Sequence, residues 1–480
     1  MRPVPALLLL LAVGCGRCEF EEAGVADGSL ADRSLDAPGD AVVSDRPGDR
    51  EATNPPDLTP AYTLFTSGAG TAIVNGVAMT ASGPVVIGAF RNEITFNDEV
   101  TLALGSLDAF IAGFDDAGGL RFAETYGGTS LTDFRAVDIT DGTALLVGGI
   151  LSGQTDFGGV VLDGGNRQDV LLLSFDPSGE LLERGRYPGD GANAQGRGIA
   201  AAPSLVAVTG TYGSRLAFNG IALPSAASDD GFLAILSGFP NPPLSARAFP
   251  SGGNAFGNDV AIHGEQLCSV GRFDTNIDLG TPQGSINSGG SGDGYVLGTR
   301  TSGGGLWGIT QGSDRGDTFL ATVALPNGDC IVAGLVGGAV TTGPEELPYG
   351  GMTDGYLGRF SATGAVWEMT FGGPGIDNLR TVARLGELIL VGGSFTGTIE
   401  VGSVPVASAG GRDGLVVALN PGGEVQWVYR FGGAGDETVE GVALKAGEVV
   451  VTGSYVGATT IGTESTTSPN DQMYVHGFRY

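Results

Sequence analysis

The sequence has 480 residues, of which 86 are glycine, and hydrophobic residues make up 41% of it. That hydrophobic share is ample for a large core and excludes a wholly disordered chain. A formal net charge of −29 repels phosphate backbones and anionic bilayers, which argues against a nucleic-acid-binding protein. Because no apolar run reaches the roughly 18 residues that span a bilayer, we expect no transmembrane helix.

The N-terminal segment has the pattern of an export signal. An apolar run, Pro3 to Val13, is too short to span a bilayer and is followed by Gly14 and Cys15. The string from Leu11 to Cys15 resembles a bacterial lipobox, which implies a lipoprotein signal peptide over residues 1–14 and lipidation of Cys15. The alternative is an ordinary signal peptide that contains a cysteine. By the same resemblance, Gly16 in place of aspartate favours the outer membrane, on a side that the sequence does not specify.

The composition changes sharply after this signal. Residues 19–60 are acidic and rich in proline, and they show no periodic apolar pattern. Such a segment cannot bury enough surface to offset the entropy of ordering it. We therefore predict that residues 15–60 form a disordered acidic tether.

From residue 61 onward the chain is periodic. One anchor is an aspartate that opens an apolar strand, and a second is a glycine that closes a β-rich run. The aspartates are Asp108, Asp169, Asp230, Asp293, Asp354, Asp413 and Asp471, and the glycines are Gly88, Gly149, Gly210, Gly271, Gly334, Gly393 and Gly453. Two independent anchors spaced by 58 to 63 residues predict seven units.

Each unit has the pattern of four antiparallel strands, with turn residues between apolar runs and no helical period. The last unit stops after its third strand, and Ala61 to Phe65 aligns with the fourth strand Gln426 to Phe431. A chain that lends its first strand to its last unit closes a ring and removes exposed sheet edges. We predict an all-β, seven-bladed β-propeller of four-stranded blades over residues 61–480. An open solenoid would need polar caps, which we do not find.

Several segments carry a family resemblance. Phe371 to Asp377, Val391 to Gly397 and Asp413 to Gly423 resemble the bacterial β-propeller repeat (SBBP-like) of secreted and surface proteins. The resemblance covers about residues 61–480. It implies the propeller fold, and because the family has no common activity it implies almost nothing about chemistry.

A loose acidic set falls in the Gly-rich turns between units. Its members are Asp133, Asp259, Asp317, Asp377 and Asp436. Repetition places these turns on one face, where the carboxylates could form a negative rim at the channel mouth that binds a cation or a cationic partner. The simpler explanation is that aspartate stabilises the turns.

One loop has a weak metal-binding pattern. Asp274, Asn276 and Asp278 occupy alternate positions, so their oxygen-bearing side chains share one face if the segment is extended. Ca²⁺ is bound by oxygen ligands of this kind. The sixth position of an EF-hand loop is glycine, whereas Leu279 stands there, and a solvated hairpin is the favoured explanation of this loop. Apart from this possible Ca²⁺ we predict no cofactor.

Cys268 and Cys330 fall in the second strands of neighbouring units, on opposite faces by their spacing from the anchor glycines. Adjacent blades stack front to back, so this parity allows a disulfide, which an exported protein could form. The alternative is a pair of buried thiols.

Two functions of different classes remain open. One is a lipid-anchored envelope module that binds, or gives structure to, a protein or glycan partner. The other is an envelope polysaccharide lyase or hydrolase with a carboxylate site at the channel mouth. The sequence marks no converging catalytic residues, which favours the first.

Overall fold

The structure is a computed structural model that describes residues 58–96, 99–140, 144–302, 304–342, 345–402 and 404–479. The predicted signal peptide, the lipidation site Cys15 and nearly all of the predicted tether lie outside these residues. Within them there is no helix, and hence none long and apolar enough to cross a membrane.

The described residues form an all-β, propeller-like fold of seven antiparallel sheets with four main strands each. The strands of each sheet are given from the first to the fourth. The first sheet comprises Thr71–Thr80, Gly83–Arg91, Asp108–Phe114 and Leu120–Tyr126, and the second comprises Leu131–Thr140, Ala144–Ser152, Asp169–Phe175 and Leu181–Tyr187. The third sheet comprises Ala194–Ala202, Leu205–Tyr212, Asp230–Leu236 and Pro243–Phe249. The fourth sheet comprises Ala255–His263, Gln266–Phe273, Asp293–Arg300 and Trp307–Gln311, and the fifth comprises Thr318–Ala324, Cys330–Val336, Asp354–Ser361 and Gly364–Phe371. The sixth sheet comprises Asn378–Leu385, Leu388–Val401, Val404–Leu419 and Val425–Phe431. The prediction of an all-β fold built from four-stranded antiparallel units is confirmed.

The seventh sheet takes strands from both ends of the described chain. Its first strand is divided into Asp436–Glu437 and Gly441–Lys445, and its second and third strands are Glu448–Ile461 and Glu464–Arg479. The fourth position is occupied by Thr59–Phe65, which pairs antiparallel with the third strand, so that Thr63 lies opposite His476. The first and last strands of the described chain are therefore neighbours.

A short hairpin projects between the second and third strands of each sheet. In sheets one to five it comprises Glu93–Phe96 with Glu99–Leu102, Gln154–Asp156 with Val161–Asp163, Arg215–Phe218 with Ile221–Ala222, Asn276–Asp278 with Ser285–Asn287, and Thr341–Thr342 with Glu345–Glu346. The two-residue strand Gly189–Asp190 also pairs with the hairpin of the third sheet. In sheets six and seven the hairpin is a continuation of the long second and third strands.

The cores lie between the sheets rather than within one central layer. Among the described residues there are seven apolar clusters, one for each pair of consecutive sheets and one that joins the seventh sheet to the first. In sheets one to three every residue of the third strand is buried, as in Asp108–Phe114. This is why these strands are nearly continuous apolar runs, since each sheet is covered on both sides. Burial of each large apolar side chain contributes about 1.5–3 kcal/mol.

The first strands of consecutive sheets also pack against one another. This contact continues through all seven first strands, and Gly441–Lys445 packs in turn against Thr71–Thr80. Small side chains allow the close approach. A Cβ on Gly441, for instance, would lie 3.0 Å from Cγ1 of Val77 in the first sheet.

A disulfide joins the fourth and fifth sheets. Cys268 and Cys330 lie in the second strands of these sheets, with their Cα atoms 5.8 Å apart and both side chains buried. Opposite parity in neighbouring sheets is therefore the arrangement that brings the two sulfur atoms together.

Candidate functional site

The first strands share a β-bulge at one position. In each of sheets one to six the pairing register between the first and second strands shifts by one residue, which leaves one residue of the first strand unpaired. In the seventh sheet, Glu440 lies between the two segments of the divided first strand. We call these seven positions the bulge residues: Asn75, Arg135, Arg197, Asn258, Leu320, Arg380 and Glu440. A bulge frees its residue from the ladder and turns the side chain in a new direction.

The bulge residues reach from one sheet to the next. The Asn75 side-chain amide donates to the Phe134 carbonyl oxygen at 2.7 Å, and the Asn258 amide donates in the same way to the Phe319 carbonyl oxygen at 2.8 Å. Arg197 Nη1 lies 3.4 Å from the Asn258 amide oxygen. At these places a bulge residue thus contacts the bulge residue of the next sheet or the residue that precedes it.

The charge of this set is opposite to that of the whole chain. It contains three arginines and one glutamate, a formal charge of 3 − 1 = +2, in a chain with a net charge of −29. Every bulge residue is at least partly accessible to solvent. A locally positive, accessible cluster on an acidic protein attracts negatively charged groups.

Two of the three arginines have carboxylate partners. Arg380 Nη1 lies 3.2 Å from Glu440 Oε2, with the side chains 43% and 20% exposed. Arg135 pairs through Nε with Asp133, and its own side chain is also 43% exposed. Burial raises the pKa of the Asp133 carboxyl, although the ion pair with Arg135 opposes this shift.

Arg197 differs from the other two arginines. Among the residues that the structure describes, no carboxylate lies within 4.0 Å of its guanidinium, and its hydrogen bonds go to the amide oxygens of Gln195 and Asn258. The guanidinium also lies over the Phe256 ring, 5.0 Å from the centroid. Burial, followed by repulsion from Arg135, lowers the pKa of Arg197 to about 10. Arg197 therefore has no ion-pair partner among the described residues, and Asp229 acts on its pKa only from beyond ion-pair distance.

The structure does not gather the five predicted acidic residues into one exposed rim. Asp133, Asp259, Asp317 and Asp377 are buried, and Asp436 is exposed. Carboxylates without solvent contact cannot present charge to a partner. Asp133 comes nearest to the predicted role, since it lies beside the bulge residues Asn75 and Arg135.

The buried aspartates instead hold backbone segments together. Asp317 accepts the Gly337 N–H at 2.9 Å, Asp377 accepts the Thr396 N–H at 2.9 Å, and Asp259 accepts the Thr322 N–H of the next sheet at 2.8 Å. Such bonds fix the turn that leads from one sheet into the next.

Two turn aspartates also lie close to strand-opening aspartates. A Cβ on Gly312 would lie 2.6 Å from Asp317 Oδ2 and 2.8 Å from Asp293 Oδ1, so only glycine fits between them. Burial, with a smaller contribution from Asp293, raises the pKa of Asp317 to about 6. In the next sheet, burial and the nearby Asp377 raise the pKa of Asp354 to about 6.

The predicted metal loop is occupied by internal contacts. Asp274 lies 2.9 Å from Arg272 Nη2, Asn276 accepts the Gly252 N–H at 2.7 Å, and Asp278 accepts the Gly280 N–H at 2.7 Å. The three side chains thus bind different partners rather than a common centre. Among the described residues there is no group of three or more His, Cys, Asp or Glu arranged to hold a metal ion.

The bulge residues were not predicted from the sequence, although they carry the period of the repeat. Their consecutive spacings are 60, 62, 61, 62, 60 and 60 residues. The anchors that revealed the repeat are similar in every unit, whereas the bulge residues vary in chemistry and so give no repeated letter. Only the backbone register identifies them.

Comparison with known proteins assigns no family. No protein-family model and no curated protein matches the sequence. Similar solved structures include a prolyl endopeptidase, at TM-score 0.41 and 10% identity, over 84% of this chain and 50% of that one. They also include Sqt1 from Chaetomium thermophilum, at TM-score 0.40 and 10% identity, over 88% and 100% of the two chains.

A third similar structure is a neuraminidase-like protein of A/little yellow-shouldered bat/Guatemala, at TM-score 0.27 and 12% identity, over 64% of this chain and 91% of that one. The chain spans half the length of the prolyl endopeptidase. These likenesses are too weak to assign an activity or a ligand.

Proposed function

We propose that the chain closes into a seven-bladed β-propeller whose last blade is completed by Thr59–Phe65. The pairing of this strand with Glu464–Arg479 supports closure, because it joins the two ends of the described chain. The apolar cluster between the seventh and first sheets supports it as well. In a closed propeller, the innermost strands surround a central channel, and the bulge residues would line it.

We propose that this propeller is exported, anchored through a lipid on Cys15 in the outer membrane, and acts as a binding or structural module for a protein or glycan partner. The lipobox-like string that ends at Cys15 supports the anchor. An acidic tether would hold the propeller away from the anionic bilayer surface. The side of the membrane on which it works is left open by this proposal.

A single observation carries the binding function. Seven corresponding backbone positions, six at a bulge and one between the segments of a divided strand, carry four residue types with cationic, anionic, amide and apolar side chains. A purely structural position in a repeat tends to hold one residue type, as the anchor glycines do. An asymmetric ligand presents different chemical groups to the successive sheets. Its recognition therefore requires different side chains at the same backbone position, and such sites rather than the fold itself carry function.

The alternative is a polysaccharide lyase or hydrolase with a carboxylate site at the channel mouth. Such an enzyme needs carboxyl groups that contact the substrate. Among the five predicted acidic residues, only Asp436 is exposed. The observations therefore favour the binding module.

The test compares binding by the full chain and by a bulge variant. Glycan and peptide arrays are probed with the wild-type protein, with Arg380→Ala, and with Arg215→Ala as the matched control. Arg215 lies in the hairpin of the third sheet, where its side chain is 71% exposed in a loose 3.7 Å pair with Asp190. We expect binding to be lost in Arg380→Ala and retained in Arg215→Ala. Equal binding by all three proteins would refute the assigned site.

A further inference from the structure

We propose that Arg135 and Arg197 together form a subsite for an oxyanion, a carboxylate or phosphate group carried by the ligand. This inference rests on the proposed binding function and names the chemical group that one part of the bulge set recognises. The array experiment proposed above changes Arg380, which lies in the sixth sheet, whereas Arg135 and Arg197 lie in the second and third sheets. The binding function and the oxyanion subsite can therefore fail separately.

The first step is the proximity of two like charges. Arg135 and Arg197 occupy the equivalent bulge position of the second and third sheets, whose first strands pack directly against each other. Arg135 is close enough to oppose protonation of Arg197. Two guanidinium groups at neighbouring positions repel each other unless an anion lies between them.

The second step is that, in the part of the chain that the structure describes, no carboxylate lies within ion-pair distance of Arg197, and Asp229 acts on it only from farther away. Its Nε and Nη2 bind the neutral Gln195 oxygen at 3.2 and 2.9 Å, and its Nη1 has only a 3.4 Å contact with Asn258. Arg135 uses Nε for Asp133. No hydrogen bond from the Arg135 Nη atoms occurs among the described residues. N–H donors on both side chains thus remain available.

The third step is the fit between these donors and an oxyanion. Guanidinium groups bind carboxylate and phosphate through paired N–H donors, with charge-assisted bonds about twice as strong as neutral ones. The partial burial of Arg197 raises the strength of such a bond because it lowers the local dielectric. The stacking on Phe256 and the Gln195 bond hold the guanidinium in place, so binding would cost little side-chain entropy.

The experiment measures thermal unfolding of the full chain with added anions. The probes are sodium phosphate and sodium glucuronate, each compared with sodium chloride at the same ionic strength and pH. The proteins are the wild type, Arg197→Gln, Arg135→Gln and the control Arg215→Gln. If Arg197→Gln fails to fold, Arg135→Gln still tests the subsite, because the Arg135 side chain is 43% exposed and its substitution should disturb the fold less.

We expect phosphate or glucuronate to raise the melting temperature of the wild type and of Arg215→Gln above the chloride value. The apparent affinity should fall at least tenfold in Arg197→Gln and in Arg135→Gln. A larger effect of glucuronate would identify a carboxylate ligand, and a larger effect of phosphate a phosphorylated one. Equal melting in chloride and in both anions, or an unchanged anion effect in the two variants, would overturn the subsite. If array binding still depended on Arg380, the binding module would stand without it.

Discussion

At the scale of single residues, the aspartates of this protein serve structure more than chemistry. The strand-opening aspartates Asp108, Asp293, Asp354 and Asp413 accept backbone N–H groups of the turns before them. The turn aspartates Asp317 and Asp377 do the same for the N–H groups of Ser313 and Gly373. Their spacing was evident in the sequence, but their burial depends on how neighbouring sheets pack, which spacing alone does not specify.

The disulfide gives a residue-scale prediction for stability. A bridge between residues 62 apart restricts the unfolded chain and should contribute about 4 kcal/mol to the free energy of unfolding. We expect the Cys268→Ala, Cys330→Ala double variant to unfold at lower denaturant concentration by a corresponding amount. Dithiothreitol should destabilise the wild type and leave the double variant unchanged. If the reductant acted equally on both, the stability would not come from this bridge.

At the scale of secondary-structure elements, the strand pattern was predictable and the bulges were not. Turn residues and apolar runs recur in every unit, so four antiparallel strands per unit follow from local chemistry. The bulge at Arg197 or Arg380 has no local signature, because it depends on register with the second strand. The side chains that give the molecule its positive cluster were therefore not visible in the sequence.

The turns between sheets give an element-scale prediction for pH. The pKa values of Asp317 and Asp354 are both raised to about 6, whereas an unfolded aspartate has a pKa of about 3.9. Between these values the folded state binds more protons than the unfolded state, so stability falls as pH rises through this window. These two groups on their own should raise the melting temperature as the pH is lowered from 7 to 5. His263 and His476, whose pKa values burial lowers to about 4, act in the opposite direction over the same range. The aspartate effect is therefore measured as the difference between the wild type and a variant.

The control for this prediction is a neutral side chain at one turn. Asp354→Asn keeps an oxygen to accept the Gly350 N–H and places an amide near Asp377. It should be more stable than the wild type at pH 7, and this difference in melting temperature should shrink as the pH is lowered to 5. Asp436→Asn, at an exposed position, should follow the wild-type profile. An unaltered pH slope in Asp354→Asn would exclude this aspartate as a source of the effect.

At the scale of the whole molecule, the seven apolar clusters between sheets make each sheet depend on two neighbours. The seven-unit repeat was predicted from the spacing of the anchor residues, and the use of the N-terminal strand as a fourth strand from the alignment of Ala61 to Phe65 with a later unit. The strand begins slightly earlier, at Thr59, because backbone pairing extends beyond the apolar residues. The exported, lipid-anchored character remains a prediction.

The N-terminal strand gives a whole-molecule prediction for stability. Deletion of residues 59–65 should expose the edge of Glu464–Arg479 and cause aggregation or a large fall in melting temperature. Deletion of residues 19–55, in the predicted tether, should leave melting nearly unchanged. Thermal unfolding with light scattering distinguishes the two. Similar behaviour of both deletions would contradict the role of this strand.

The central claim is the proposed closure of the ring, in which the first and last strands of the described chain share one sheet and the seven bulge residues surround one axis. Thr63 Oγ1 lies 2.9 Å from His476 Nδ1 across the joining pair of strands. The decisive measurement is the yield of a disulfide between cysteines at these positions, in a chain with Cys15 and Cys18 changed to serine, read by mass spectrometry of non-reduced peptides. We predict efficient cross-linking in the Thr63→Cys, His476→Cys variant and little in Thr63→Cys, Val475→Cys, because Val475 points to the opposite face. No cross-link, or equal yields in the two variants, would contradict closure.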